Sequence, residues 1–429
     1  LSLYGNIGLR PGDDATEVTT VAAAGDEPRL VTGDLDAAVA AIDVHPDDWT
    51  TYRGNNDRTD ISKVAIPGDV ELAWTADVCS DVLPTAPVIA GSLVVIADRT
   101  GTVQAFDHAG NSIWQAHTAG PIYYPPAVAH NRVYVGSADG RVYAYAAADG
   151  RFLWSYRVGP KDYWIPIYDR LLSAWPVAGG VVVDGDTVYA AAGITHYDGT
   201  HVVGLDAITG ELKISNTTSG TLEREVNNGI SLQGDLTIVD GELRFLAGGV
   251  YETARYDLKT LECLNTPKAQ VTSQFRTAFY PYYPAYGKYV SLDYQCGDGC
   301  QLSHDASYEG SQFVNLSRQP ALPPGTPMPY KEAARWIRRG GEAPKPVWRD
   351  QSNRRFTSFA VTDNTLLATA HPDGDESDSF IVSINTSDGS DNWRKPLPAL
   401  AVKGGTSIDH NGRMYVALEN GKLLCFDPK

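Results

Sequence analysis

Short stretches of alternating apolar and polar residues recur along this chain, separated by two-residue turns. In Pro121 to Trp154, Arg132 to Gly136 alternates as a strand, Asp139-Gly140 turns, Val142 to Tyr145 alternates again, Asp149-Gly150 turns, and Phe152-Leu-Trp154 begins another strand. With the AVAH segment ahead of them these make a four-stranded antiparallel meander. A single meander leaves one apolar face uncovered, so the unit requires neighbours.

The neighbours are legible. Pro87 to Gln115 repeats the pattern about 40 residues upstream, with Gly101 at the place of Gly140 and Trp114 at that of Trp154. VVVDGDTVYAAAG, continuing through His201 to Asp206, is a third copy. LTIVDGELRFLAGG with Ala254 to Asp257, Lys288 to Asp293, FAVTDNTLLATAH with Phe380 to Asn385 and Trp393, and IDHNGRMYVALENGKLLCF complete the series. A strand-only repeat of roughly 40 to 50 residues predicts a β-propeller with one four-stranded blade per repeat, here seven. The last copy stops after three strands, at Cys425 to Lys429, and an orphan strand of the tryptophan-bearing type, Val70 to Asp77, precedes the first blade. That strand is expected to complete the last blade and close the ring without an open edge.

Composition fits: 41 Gly, 26 Pro and 23 Tyr against 2 Met in 429 residues describe turn-rich β structure. One main domain is expected over residues 49–429, behind an acidic appendage at 1–48 in which Leu35 to Ile42 reads as one short helix. A second helix, around Lys331 to Arg339, reads as an insertion at about 320–345 in blade 5, with Trp336 docked. The net charge of −17 argues against nucleic acid and anionic membranes as partners and fits an extracytoplasmic protein: periplasmic, associated with an outer membrane, or secreted. No apolar run is long enough for a transmembrane segment. Of five cysteines, Cys296 and Cys300 are the natural local disulfide across Gly-Asp-Gly, with a metal hook that includes His304 as the rival. Cys79, Cys263 and Cys425 are left unassigned.

DWTTYRGNNDRT (from Asp48), VYVGSADGRVYAYAAADGRFLW, LLSAWPVAGGVVVDGDTVYAAAG and the ending GKLLCF together resemble bacterial propellers of the pyrroloquinoline-quinone-like (PQQ-like) repeat class, especially the large exported members of the Planctomycetes type. The resemblance covers roughly residues 48 to 429 and implies the fold. Its class holds quinone-dependent dehydrogenases, non-catalytic outer-membrane assembly factors and members of unknown role, so it does not fix an activity. The family's alcohol dehydrogenases have eight blades and an adjacent cysteine pair over the quinone. This chain has seven copies, separates Cys296 from Cys300 by three residues and lacks a CxxCH haem site, so no PQQ and no other cofactor is expected.

In a propeller, the connections between blades and the loops between second and third strands share one face of the ring. The irregular sequence falls there: Lys161 to Arg170 with Trp175, Thr195 to His201, Glu223 to Asn228, Gln274 to Tyr286, Cys296 to His304, Arg354-Arg355 and His371. Tight DG and NG turns keep the other face. Aromatic faces stack on sugars and arginine forks bind carboxylates, so an acidic polysaccharide or other glycan is the expected ligand. Lyase-type β-elimination would use Tyr163, His196 and His371 as proton-transfer groups and Arg276 and Arg355 as carboxylate neutralisers, with Trp164, Arg170, Trp175, Asn228, Tyr280 and Tyr283 binding substrate. Hydrolysis would instead use two of Asp169, Asp198 and Glu225. Each of these residues also has a structural reading: Trp175 as packing between blades, the tyrosines as a cover for blade 5, and the histidines as solvated loop residues. The alternative function is a non-catalytic scaffold that binds protein partners or serves outer-membrane assembly; a quinone-dependent dehydrogenase ranks below both.

Overall fold

The computed structural model of the chain describes residues 28–35, 37–80, 82–167, 170–222, 229–247, 253–266, 294–296, 300–304, 311–315, 348–350, 352, 354–362, 365–372 and 374–429, with the backbone alone for 294–296, 300–304, 311–315 and 349. Its regular structure there is all strand apart from two single 3₁₀ turns; of eight antiparallel sheets, seven with three to five strands follow one another along the chain as blades and the eighth has two strands. Blades 1 to 3 span Val88–His117, Ala127–Arg157 and Val181–Asn216. Blade 4 shows three strands within Thr237–Asp257, and Cys263 forms an isolated bridge back to Tyr256. Blade 5 runs from Tyr294 to Arg349 and blade 6 from Arg354 to Pro396. Blade 7 takes three strands from Ala401–Pro428 and the fourth from Val70–Asp77, which pairs with Lys422–Pro428. Pairing Val70–Asp77 with the last strand in one sheet closes the ring, as the orphan strand predicts, and the count of blade sheets is consistent with seven copies, although the fifth copy, Lys288 to Asp293, lies outside the described residues.

Inner strands are buried on both sides. All of Leu93–Ala97 and all of Thr187–Ala192 are buried, because each blade is covered by the blades before and after it. Outer strands alternate, as in Ser112–His117, because one face meets solvent. Repeated tryptophans dock blades 7, 1, 2 and 5 each on the next. Trp74, Trp114, Trp154 and Trp348 lie on Gly110, Gly150, Gly210 and Gly389 of the following blade, where an added Cβ would fall 2.5–2.7 Å from the indole. Those glycines also have φ between 71° and 82°, a region costly for any side chain.

Several expectations meet a different arrangement. Leu35 to Ile42 forms no helix among its described residues, because the carbonyls of Asp34, Ala37 and Ala38 are taken by the Arg151 guanidinium. Residues 28–48 do not stand apart from the ring: Leu30–Thr32 is a fifth strand on blade 2. Cys296 to His304, expected as a rim loop, supplies two strands of blade 5 with Cys296 and Cys300 directly opposite each other. Their side chains, and the insertion at 320–345, lie outside the described residues. Cys79, Cys263 and Cys425 are free.

Candidate functional site

The two faces of the ring are built differently. On one, the loops between second and third strands bond to the connections between blades: Thr118 N–H to the Gly101 carbonyl, Val158 N–H to the Gly140 carbonyl, and Val177 N–H to the Ser137 carbonyl. The tight Asp139-Gly140 turn, of the kind expected on the other face, joins a second strand to a third and so lies here. The connection from blade 2 to blade 3, expected as irregular chain, rises from this face as a two-stranded ribbon, Trp164–Ile167 against Arg170–Ser173. Its register sets Trp164 and Pro166 on the same side as Leu171. On that side Trp164, Pro166 and Leu171 are exposed, Leu171 at 63%, while Ser173 opposite Trp164 is buried; Ile165, Ile167 and Leu172 are at least half-buried on the other. Tyr163 at the ribbon's base and Tyr197 on the neighbouring loop of blade 3 are 58% and 64% exposed.

Main-chain acceptors hold the ribbon upright. Arg170 donates to the Arg99 carbonyl of blade 1 (2.8 Å), Ser173 N–H to the Ala138 carbonyl of blade 2 (2.9 Å), and the Trp175 indole to the Asp198 carbonyl of blade 3 (2.7 Å). Tyr163, Trp164, Arg170, Trp175 and His196 are thus gathered over blades 1 to 3. His196 starts the 3₁₀ turn His196–Asp198 and stands edge-on to Tyr197, ring centres 4.9 Å apart. His201, buried behind Trp175, is held below the usual histidine range by burial and by the nearby Arg29 charge.

The rest of the expected set is elsewhere. His371 is fully buried in a strand that continues to Pro372, not on a solvated loop, with its Nδ1 2.7 Å from the Pro372 carbonyl oxygen. Arg355 pairs with it in register on blade 6, three blades from His196. Arg276, Asn228, Tyr280 and Tyr283 lie outside the described residues, as do the hydrolytic candidates Asp169 and Glu225.

The tight-turn face is covered by the chain's own N-terminal segment. Asp48, buried, accepts from the main-chain N–H of His45 (3.1 Å), Gly91 of blade 1 (2.9 Å) and His410 of blade 7 (3.1 Å), and from the His410 ring (2.7 Å). His45 stacks on His410 at 4.4 Å. Between this segment and the first turn of blade 2 lies a polar cleft of about 510 Å³ lined by His45, Asp48, His130 and Asn131 among others. Residues 49–62 then cross the axis, meeting the innermost strands: the carbonyls of Trp49, Thr50, Asn56 and Asp60 accept from Ile89, Val128, Ile238 and Val361 of blades 1, 2, 4 and 6. Buried Arg58 donates to the Val181 and Leu236 carbonyls of blades 3 and 4 and to Tyr52 O, Thr51 Oγ1 and Asn55 O of its own segment. Asp60 is held by Arg53; even so, burial pushes its carboxyl up to about 6, and burial likewise raises the phenols of Tyr52 and of Tyr124, whose rings meet edge-on. The DWTTYRGNNDRT stretch is therefore an axial plug, a role its composition did not announce.

Comparison with known proteins now bears on this architecture. The sequence profile of the family described as outer membrane protein assembly factor BamB matches residues 58–280, which is 223 of 429. The chain belongs to that family of PQQ-like repeat propellers. It is 30% identical over 154 residues to the outer membrane protein assembly factor BamB of Nitrosomonas eutropha, covering 35% of this chain and 33% of that protein. It is 28% identical over 180 residues to the BamB of Burkholderia pseudomallei, covering 38% and 43%. The chain thus spans a third to under half of the length of these relatives. Among solved structures, quinohemoprotein alcohol dehydrogenase from Comamonas testosteroni superposes with a TM-score of 0.57 at 16% identity, over 92% of this chain and 82% of that one, a likeness of fold. An extracytoplasmic location, expected from the sequence, agrees with relatives named for outer-membrane assembly, and no helix among the described residues is long and apolar enough to cross a membrane.

Proposed function

We propose that this propeller is a non-catalytic, extracytoplasmic scaffold in outer-membrane protein assembly, and that it holds a protein partner on the ribbon of its loop-bearing face. The observation that carries the reading is the exposed apolar side of the ribbon, Trp164, Pro166 and Leu171, flanked by Tyr163 and Tyr197. Such a side, braced by hydrogen bonds to blades 1, 2 and 3, presents aromatic and leucine anchors at little entropic cost. The opposite face is covered by residues 42–62, which leaves the loop-bearing face for docking. The relatives' names give the process. β-Elimination of a polysaccharide would require its acid, base and cation around one sugar, whereas His371 is buried and Arg355 stands three blades from His196.

A photoreactive residue at position 171, with one at Asn411 on the covered face as control, tests the reading in the native host. Capture of an outer-membrane assembly component from 171 alone is expected. Leu171→Asp should weaken that capture at least about tenfold and leave thermal unfolding unchanged, because its side chain is exposed. Equal capture from both positions, or new double bonds generated from uronate polysaccharides by the pure protein, would sink it.

A further inference from the structure

Blade 2 differs from its neighbours at its outer edge. Leu30–Thr32 pairs antiparallel with the outermost strand, Phe152–Arg157, setting Leu30 opposite Tyr156, Val31 opposite Ser155 and Thr32 opposite Trp154. The ladder is prolonged at both ends by Arg157 N–H to the Arg29 carbonyl (2.8 Å) and Gly33 N–H to the Leu153 carbonyl (2.7 Å). Arg141 also reaches the Arg29 carbonyl (3.3 Å). Among the described residues no other blade carries a fifth strand.

The added strand is short and lightly held. Val31 and Thr32 are exposed, and only Leu30 packs against the apolar cluster of blades 2 and 3. After it, Arg151 grips the carbonyls of Asp34, Ala37 and Ala38, and the Asn131 side chain accepts from Ile42 N–H. Two positions are selective all the same. Leu30 is the side chain that meets the core. At Gly33 a Cβ would lie 2.5 Å from the Phe152 carbonyl oxygen, so any side chain there pushes the strand off its edge.

We propose that the outer edge of blade 2 is a strand-acceptor site which residues 29–33 fill in cis, and which an extended segment of a partner polypeptide takes over when it carries a leucine-sized residue three positions before a glycine. Main-chain hydrogen bonds supply the affinity, and the apolar contact and the glycine supply the selectivity. The tethered strand is present at an effective concentration on the order of millimolar, so a partner must outcompete it and the edge is silent until one does. This site lies on the circumference of the ring and does not depend on docking through the ribbon.

The probe is a fluorescein-labelled peptide with the sequence of residues 28–34, PRLVTGD. Two proteins have the edge opened: a chain beginning at Asp34, and the full chain with Gly33→Val. Both should bind the peptide at least about tenfold more tightly than the unaltered chain. The Arg157 amide should lose hydrogen-exchange protection in both and regain it with peptide, and a peptide carrying valine in place of its glycine should fail. Absence of binding to an opened edge whose Arg157 amide has lost protection overturns the proposal. So does equal binding of the valine peptide, or self-association of the opened chain in place of peptide binding. If the shortened chain does not fold, Gly33→Val with a cooperative melting transition carries the test.

Discussion

Trp114 and Trp154 occupy equivalent places, yet only one completes its hydrogen bond. The Trp114 indole donates to the Ala147 carbonyl at 2.8 Å. The matching carbonyl for Trp154 belongs to Ala207 and is taken by the Tyr134 hydroxyl at 2.9 Å, leaving the buried Trp154 Nε1 without an acceptor among the described residues. Phenylalanine at either position removes similar apolar volume, but only at 114 does it also strand a buried carbonyl. Trp114→Phe should therefore destabilise by about 1 kcal/mol more than Trp154→Phe in urea unfolding. Asp60 offers a second test. Burial raises its carboxyl to about 6, above the ordinary 3.8, so the folded chain holds the proton more tightly than the unfolded one. This group's contribution therefore favours folding as pH falls through about 6 and disfavours it as pH rises. Relative to Asp60→Asn, the unaltered chain should gain about 1 kcal/mol of stability between about pH 7 and about pH 5, and equal slopes for the two proteins would refute it.

Among the elements, those set by local pattern were legible and those set by a distant partner were not. The alternation of Arg132 to Gly136 and the DG turns mark strands because a two-residue turn between β-formers has few other solutions. Leu35 to Ile42 is alanine-rich and reads as helix, but so short a helix is marginal alone and Arg151 captures its carbonyls instead. The ribbon's strands, Trp164–Ile167 and Arg170–Ser173, do not stand out in the sequence because Pro166 breaks the run of β-formers; the pair Leu171-Leu172 in a polar connection is the available signal. His371 misled for the opposite reason. It sits beside Pro372 and reads as loop, yet pairing with Arg355 carries the strand through it and buries the ring. Of the expected site, Tyr163, Trp164, Arg170, Trp175 and His196 came together because one ribbon and one adjacent loop carry them all.

For the whole molecule, closure depends on residues far from the last blade in sequence. The Val70–Asp77 strand fills the edge of Lys422–Pro428, and the segment before it plugs the axis against five blades. Removing residues 1–77 should leave blade 7 with an open edge and the inner strands with unpaired N–H groups. We expect the shortened chain to lose the single cooperative thermal transition and to self-associate, as read by calorimetry and light scattering; a monomer melting like the intact chain would contradict this. Removing residues 1–33 alone should leave that transition in place, since among the described residues it uncovers only one outer edge.

The chain's own residues determined the blade, its repetition, the tryptophan dock and the closing strand, because each follows from a short periodic pattern repeated in register. The tertiary structure decided which loops meet, that the DWTTYRGNNDRT stretch returns through the axis, and that Leu30–Thr32 adds to blade 2. Those outcomes rest on buried hydrogen bonds between residues tens to hundreds of positions apart, such as His410 with Asp48 or Arg58 with Leu236, and no local pattern encodes such a pairing.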